Sequence, residues 1–84
     1  MVGRPSPGLL RNLSTWRIVR ALEQDGFAHT ERQGNQRVHR HPDGRRMVIH
    51  YHRATDTLPP YVLRNLLVGT AWSEADLQRL KLVK

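Results

Sequence analysis

The pattern of hydrophobic and polar positions begins with a helix. Apolar side chains recur at helical spacing after Leu13, which predicts a first helix that starts at Leu13 or Ser14 and ends at Gly26. We expect the whole apolar stripe of this helix to lie in the core. The stripe consists of Trp16, Ile18, Val19 and Leu22.

After Gly26 the hydrophobic period changes from that of a helix to that of strands. Alternating segments predict strands at Phe27–Arg32, Gln36–His41 and Arg46–Tyr51. The connections between them are short and rich in turn residues: Gln33-Gly34-Asn35 and Pro42-Asp43-Gly44-Arg45. Short turns between successive strands predict an antiparallel meander.

Two helical segments follow a polar loop at His52–Leu58. Pro59 and Pro60 suit the first turn of a helix, and Gly69 is predicted to end it. A last short helix begins at Ser73, which with Asp76 resembles a capping box. We expect the aromatic residues on these helices or their edges to pack into the core, and they are Trp16, Tyr61 and Trp72.

This order of elements predicts an α+β fold. One helix before a three-stranded antiparallel sheet, one after it and a short C-terminal helix is the order of a double-stranded-RNA-binding-like domain, with both long helices on one sheet face. We expect residues 13–84 to form a single domain. Met1–Asn12 is rich in Pro and Gly, and we expect it to be a flexible arm without regular structure.

Charge narrows the possible partners. The net charge is +7, and twelve of the fourteen cationic side chains are Arg, whose planar fork of donors suits phosphate. A polyanion, with nucleic acid first, is therefore the expected partner, although an acidic protein would satisfy the same charge. The chain has no cysteine, which excludes disulfides and thiolate metal sites. No apolar run approaches the length of a membrane span, so we expect a cytoplasmic protein.

The sheet region holds the side chains that could carry chemistry. Phe27–Arg53 contains all five histidines and six arginines, against only Glu31 and Asp43. A metal-free ribonuclease needs a base, an acid and cations for the phosphate, and His with Arg supplies all three. A solvated basic face is the plainer interpretation. A zinc site is a further alternative, and it would draw on His39, His41, His50 and His52.

Several segments resemble the HicA toxin family, over about Leu13–Leu80. They are Leu22-Glu23-Gln24-Asp25-Gly26-Phe27, Arg32-Gln33-Gly34-Asn35, Arg40-His41-Pro42-Asp43-Gly44-Arg45-Arg46, Val48-Ile49-His50-Tyr51-His52 and Leu58–Leu67. The resemblance implies an mRNA interferase, that is, a metal-independent endoribonuclease without a cofactor. It also implies a HicB-like antitoxin encoded beside the toxin. We expect RNA to bind Arg37, Arg40, His41, Arg45, Arg46 and His52.

Position 36 departs from the family pattern. The resemblance places Gln36 where the family carries its catalytic histidine, and an amide can hydrogen-bond a phosphate but cannot titrate. His39 also departs, because the family usually has Phe or Tyr there. Alternation on a strand puts Gln36, Val38 and Arg40 on one face and His39 on the other, so His39 is not a simple substitute.

Three explanations for Gln36 are open. It is an introduced mutation that silences a toxic protein, or a natural change that leaves a non-catalytic RNA-binding or antitoxin-binding module. In the third, a nearby histidine such as His39 or His52 has taken over proton transfer.

Overall fold

The computed structural model describes residues 5–83, and its elements confirm the predicted α+β order. None of the helices in this part of the chain is both long and apolar enough to cross a membrane. In chain order the elements are a 3₁₀ turn at Pro7–Leu10, α1 at Thr15–Gln24, β1 at Ala28–Gln33, β2 at Gln36–Arg40, β3 at Arg46–His50, α2 at Pro60–Thr70 and α3 at Glu74–Arg79.

The three strands form one antiparallel sheet in the order β1-β2-β3, which confirms the predicted meander. Each strand boundary lies within one residue of its predicted position. Across β2 and β3, Val38 pairs with Val48, and β1 carries an irregularity between His29 and Glu31 where its register against β2 shifts. The sheet has β1 and β3 as its two edges, and β2 runs between them.

The helices cover one face of this sheet. Met47 and Ile49 of β3 are buried beneath them, while their neighbours Val48 and His50 point to the opposite, open face. The predicted burial of Trp72 is confirmed. The largest fully buried apolar side chains are Trp72, Leu10, Ile18, Leu22, Ile49, Leu63, Leu66, Leu67 and Leu77.

Two aromatic side chains that were expected in the core are exposed instead. Trp16 is 42% exposed and Tyr61 is 67% exposed, so both predictions are wrong. On α1 the buried stripe runs through Thr15, Ile18 and Leu22, and Trp16 lies about 100° of helix rotation past Thr15.

The segment before α1 is more ordered than its composition indicates. Pro7–Leu10 forms a 3₁₀ turn, and the Ser6 side chain accepts a hydrogen bond from the Gly8 N–H at 3.4 Å. Leu10 is completely buried, and this turn contacts α2. The prediction of an arm without regular structure over Met1–Asn12 is therefore wrong for Pro7–Leu10. Residues 1–4 of that predicted arm lie outside the described residues.

Two glycines have different roles in the helices. Gly26 follows α1 with a φ of +105°, which confirms that it ends the helix. Gly69 does not end α2, because the helix continues to Thr70 and Ala71 takes the left-handed cap with a φ of 57°. A Cβ on Gly69 would collide with the Met47 sulfur, so this glycine allows α2 to approach β3 closely.

The loop between β3 and α2 is tied to the start of α1. Ser14 is the N-cap residue as predicted, but its side chain makes no capping hydrogen bond. The first amides of α1 donate instead to loop carbonyls, Thr15 to Asp56 at 2.7 Å and Trp16 to Ala54 at 3.1 Å. These bonds satisfy helix-terminal N–H groups and hold the loop beside the end of β3.

Candidate functional site

The open face of the sheet carries the position that the sequence singled out. Gln36 is the first residue of β2, and its Cα partners are Gln33 on β1 and His50 on β3. Alternation along β2 then brings Val38 and Arg40 to the same face, as predicted. Gln36 is therefore exposed on the sheet face that the helices leave uncovered.

The side chain of Gln36 contacts a histidine. Its Nε2 lies 3.4 Å from the Nε2 of His50, and both residues are exposed. The contact follows from the antiparallel register, which puts the two residues directly opposite each other. An imidazole thus lies beside position 36.

A second amide–histidine pair lies next to the first. The Asn35 Nδ2 lies 3.1 Å from the His52 Nδ1. The hydrogen bonding between β2 and β3 continues one residue beyond β3, since the Tyr51 N–H donates to the Asn35 carbonyl at 2.7 Å. This bond holds the turn between β1 and β2 against the chain that leaves β3, and so brings His52 to the site.

Two arginines face each other at the other end of the open face. Arg40 and Arg46 are Cα partners, and both are exposed. Arg40 lies 3.4 Å from the Glu31 carboxylate, and both of these side chains are about half exposed. Within residues 5–83, Arg46 has no acidic side chain at ion-pair distance. Like charges directly opposite each other are unfavourable in a sheet, and a bound phosphate would relieve that cost.

Arg37 and His39 lie on the face toward the helices. The Arg37 guanidinium lies 3.9 Å from the centre of the Tyr51 ring, a cation–π contact at the edge of the core. His39 is 1% exposed, and neither ring nitrogen has a hydrogen-bond partner among residues 5–83. Burial, together with the nearby charges of His29 and Arg37, lowers the pKa of His39 to about 4.

His39 is therefore a neutral core residue and lies on the wrong face to replace a histidine at position 36. Of the two substitutes that the sequence indicated, the structure leaves only His52 near Gln36. His50, which was not among the predicted site residues, lies closer still.

His41 and Arg45 are engaged in internal contacts. The His41 Nε2–H donates to the Asp25 carbonyl at 2.8 Å, and its Nδ1 accepts from the Asp43 N–H at 3.1 Å. Arg45 binds the Asp43 carboxylate at 2.7 Å and donates to the Thr70 carbonyl. Both side chains are partly buried, so the structure does not bring them to the open face with Gln36.

Asp25 explains why Arg45 points inward. Its carboxylate accepts from the Trp72 indole N–H at 2.9 Å and from Arg79 at 2.8 Å, and Arg45 lies 3.2 Å away. Burial acts to raise the pKa of Asp25, but the hydrogen bonds from Trp72 and Arg79 and the charge of Arg45 hold it below its usual value. The carboxylate therefore links the end of α1 to the turn before β3, to the segment between α2 and α3, and to α3.

A cavity of about 320 Å³ opens beside β3. It lies between the edge of the sheet, the loop that α1 holds and the first turns of α2. Imidazole, hydroxyl, amide and carboxylate groups share its wall with apolar side chains. Its lining includes Val48, His50, His52, Thr57, Tyr61 and Asn65.

The histidines do not gather around a common point. Among the described residues, no three His, Asp or Glu side chains lie close enough together to hold a metal ion. The four histidines of the zinc alternative are separated by burial and by contacts, since His39 is in the core and His41 binds the Asp25 carbonyl.

Sequence reasoning missed His50, although the signal was present. The turn at residues 42–45 makes Arg40 and Arg46 partners, and counting outward from that pair places His50 opposite Gln36. Strand alternation then puts both on the face of Val38 and Val48. Register counting, combined with the family position at Gln36, would have found this histidine.

An α+β domain with arginines and imidazoles on an uncovered sheet face belongs to the class of small basic domains that can handle nucleic acid. A family model, HicA toxin of bacterial toxin–antitoxin systems, matches residues 17–70, well over half of the chain. The chain therefore belongs to the HicA toxin family, which confirms the resemblance read from the sequence. A search of curated proteins finds no match.

Proposed function

We propose that this toxin is an endoribonuclease that cleaves messenger RNA in the cytoplasm without a metal ion, and that the open sheet face is its active site. The observation that carries the proposal is the position of Gln36. The sequence resemblance assigns it the family's catalytic place, and its side chain is exposed, in contact with His50 and on the same strand face as Arg40.

The chemistry of RNA cleavage fits the groups on this face. Attack of a ribose 2′-hydroxyl on the neighbouring phosphate needs a base, an acid for the leaving oxygen, and donors for the phosphate charge. Exposed imidazoles at His50 and His52 supply ring nitrogens that can accept or donate a proton. The Arg40–Arg46 pair supplies guanidinium donors for phosphate oxygens. Arg37, His41 and Arg45 are not part of this set, because they contact other side chains and backbone of the protein itself.

Gln36 itself favours a second candidate function. An amide cannot titrate, so a chain that depended on position 36 for proton transfer would bind RNA or an antitoxin without cleaving RNA. The same basic face would serve both functions. The two candidate functions differ only in whether the bound RNA is cleaved.

Position 36 provides the test. The chain as given, Gln36→His and Gln36→Ala are compared for cleavage of a short single-stranded RNA with a chelator present. We expect Gln36→His to cleave, faster than Gln36→Ala by about 10²-fold or more, since positioned acid–base catalysis contributes roughly 10²–10⁴-fold. The proposal is refuted if Gln36→His, folded as judged by its circular dichroism, shows no cleavage above a protein-free control.

The antitoxin partner is part of the same proposal. A HicB-like acidic protein would neutralise the toxin by covering the open face, and charge complementarity with a chain of net charge +7 would speed association. Co-expression with the neighbouring gene product should give a stable complex, and the Arg40→Glu, Arg46→Glu double variant should fail to form it. A complex that forms equally well with this double variant would contradict neutralisation by blocking of the open face.

A further inference from the structure

Two histidines at the end of β3 lie in the same surroundings. His50 and His52 are two residues apart on extended chain, both are exposed, and both line the cavity beside β3. Each imidazole contacts an amide from the facing turn and strand, His50 that of Gln36 and His52 that of Asn35. The structure therefore holds two imidazoles in place beside position 36.

The amide contacts define which ring nitrogens carry protons. An amide nitrogen can only donate a hydrogen bond, so the ring nitrogen that it contacts must accept. In His50 the acceptor is Nε2, which leaves a lone pair toward position 36. In His52 the acceptor is Nδ1, so Nε2 is the protonated nitrogen. The two contacts thus define opposite tautomers of the neutral ring, and an acid role for His52 requires a second proton, at Nδ1.

We propose that His50 is the general base and His52 the general acid of RNA cleavage in this chain, in place of the family's histidine at position 36. The proposal rests on the proposed ribonuclease function and assigns its proton transfers to two residues. Gln36 has no titrating group, and the imidazoles of His50 and His52, which lie beside it, would supply the proton transfers instead.

The reaction balances with these two groups alone. His50 Nε2 takes the proton of the ribose 2′-hydroxyl as O2′ forms a bond to the adjacent phosphorus. The bond from phosphorus to O5′ breaks, its electron pair stays on O5′, and the imidazolium of His52 gives that oxygen a proton from Nε2. The products are a 2′,3′-cyclic phosphate and a free 5′-hydroxyl, and proton exchange with water restores both rings.

Asn35 can hold the His52 ring through this cycle, because it contacts Nδ1 and leaves Nε2 free for the leaving oxygen. After the amide turns, its carbonyl oxygen accepts from Nδ1 of the protonated ring. Gln36 occupies the single lone pair of His50 Nε2, so its amide has to turn away before the ribose 2′-hydroxyl can donate to that nitrogen.

Replacement of each histidine tests the assignment. His50→Gln and His52→Gln are compared with the unchanged chain on a short single-stranded RNA in a chelator, over a range of pH. We expect each replacement to lower the rate by about 10²-fold or more and to remove one limb of the pH–rate profile. His29→Gln is the matched control, because His29 is exposed but lies on the helix-facing side of β1, and we expect it to cleave at the unchanged rate.

A substrate with sulfur in place of O5′ separates the acid from the base. A thiolate leaves without protonation, so His52→Gln should recover most of its rate on this substrate while His50→Gln stays slow. Thermal unfolding of each variant checks that the fold is kept. Recovery by neither variant, or by His50→Gln, would overturn the assignment of roles.

The outcomes also separate this inference from the proposed function. If the unchanged chain cleaves and loses its activity on replacement of His50, the inference is supported. If the unchanged chain cleaves equally well without His50, the inference is wrong and the proposed function stands. If Gln36→His cleaves but the unchanged chain does not, the inference is wrong and the second candidate function, binding without cleavage, describes this chain. If neither the unchanged chain nor Gln36→His cleaves, both fail.

Discussion

Replacement of His39 should remove much of the pH dependence of this protein's stability. His39 lies in the core with both ring nitrogens unpartnered, and burial lowers its pKa from 6.5 to about 4. The folded protein therefore disfavours the charged ring, and unfolding releases it to bind a proton. Phe is an aromatic residue of similar size without a titrating group, so His39→Phe is the appropriate substitution.

The size of the effect follows from the shift in pKa. A fall from 6.5 to about 4, at about 1.4 kcal/mol per unit, corresponds to about 3 kcal/mol. Because the folded pKa is the lower one, this stability is complete above the unfolded pKa of 6.5. It is lost as the pH falls toward 4, and below that the loss levels off.

Urea unfolding at about pH 7.5 and about pH 4.5, followed by tryptophan fluorescence, measures how much of the free energy of unfolding is lost on acidification. The unchanged protein should lose about 3 kcal/mol more between these conditions than His39→Phe does. His50→Gln, which removes an exposed histidine from the opposite face, is the control and should keep the full loss. The reasoning is refuted if His39→Phe loses as much stability on acidification as the unchanged protein.

Three further predictions concern charge and packing. RNA affinity should fall steeply with salt. The slope of log affinity against log salt concentration should become shallower by about 1.4 in the Arg40→Ala, Arg46→Ala double variant, at about 0.7 per phosphate contact. An unchanged slope would show that these arginines do not contact RNA phosphates. Asp25→Asn should cost about 2–3 kcal/mol in urea unfolding, against less than about 1 kcal/mol for exposed Asp43→Asn, and equal losses would contradict its linking role. Gly69→Ala should cost about 1–3 kcal/mol by pushing Met47 away, and a neutral result would show that α2 shifts freely.

Most of the fold could be predicted from local signals. The change of hydrophobic period at Gly26, the Pro-Asp-Gly turn and the paired prolines at the start of α2 are all statements about neighbouring residues. They gave the order of elements and the antiparallel meander, with strand ends accurate to one residue. The capping box of Ser73 and Asp76 is likewise local and is confirmed.

The errors arose where distant contacts decide the structure. Pro7–Leu10 becomes ordered because Leu10 is buried in the core and its turn contacts α2, which no local pattern shows. Trp16 looked like a member of the helix stripe, but the smaller Thr15 takes the buried place through its hydrogen bonds to Asp56. Exposure of a large aromatic residue is therefore a property of the tertiary arrangement.

The candidate site was predictable only in part. Strand alternation correctly put Gln36, Val38 and Arg40 on one face. It could not show that Arg45 and His41 would be drawn inward, because that depends on Asp25, which lies sixteen or more residues away. To predict that His50 lies beside Gln36, the strand register is needed in addition to the alternation.

The most direct test of the account is to find which surface binds RNA. Titration of the isotope-labelled protein with a short 2′-O-methylated RNA, which binds but cannot undergo 2′-hydroxyl attack, can be followed through backbone amide resonances. The account predicts that the largest shifts occur at Gln36, Val38 and His50 on the open sheet face. Shifts confined to the exposed side of α1, around Trp16 and Arg20, would contradict it.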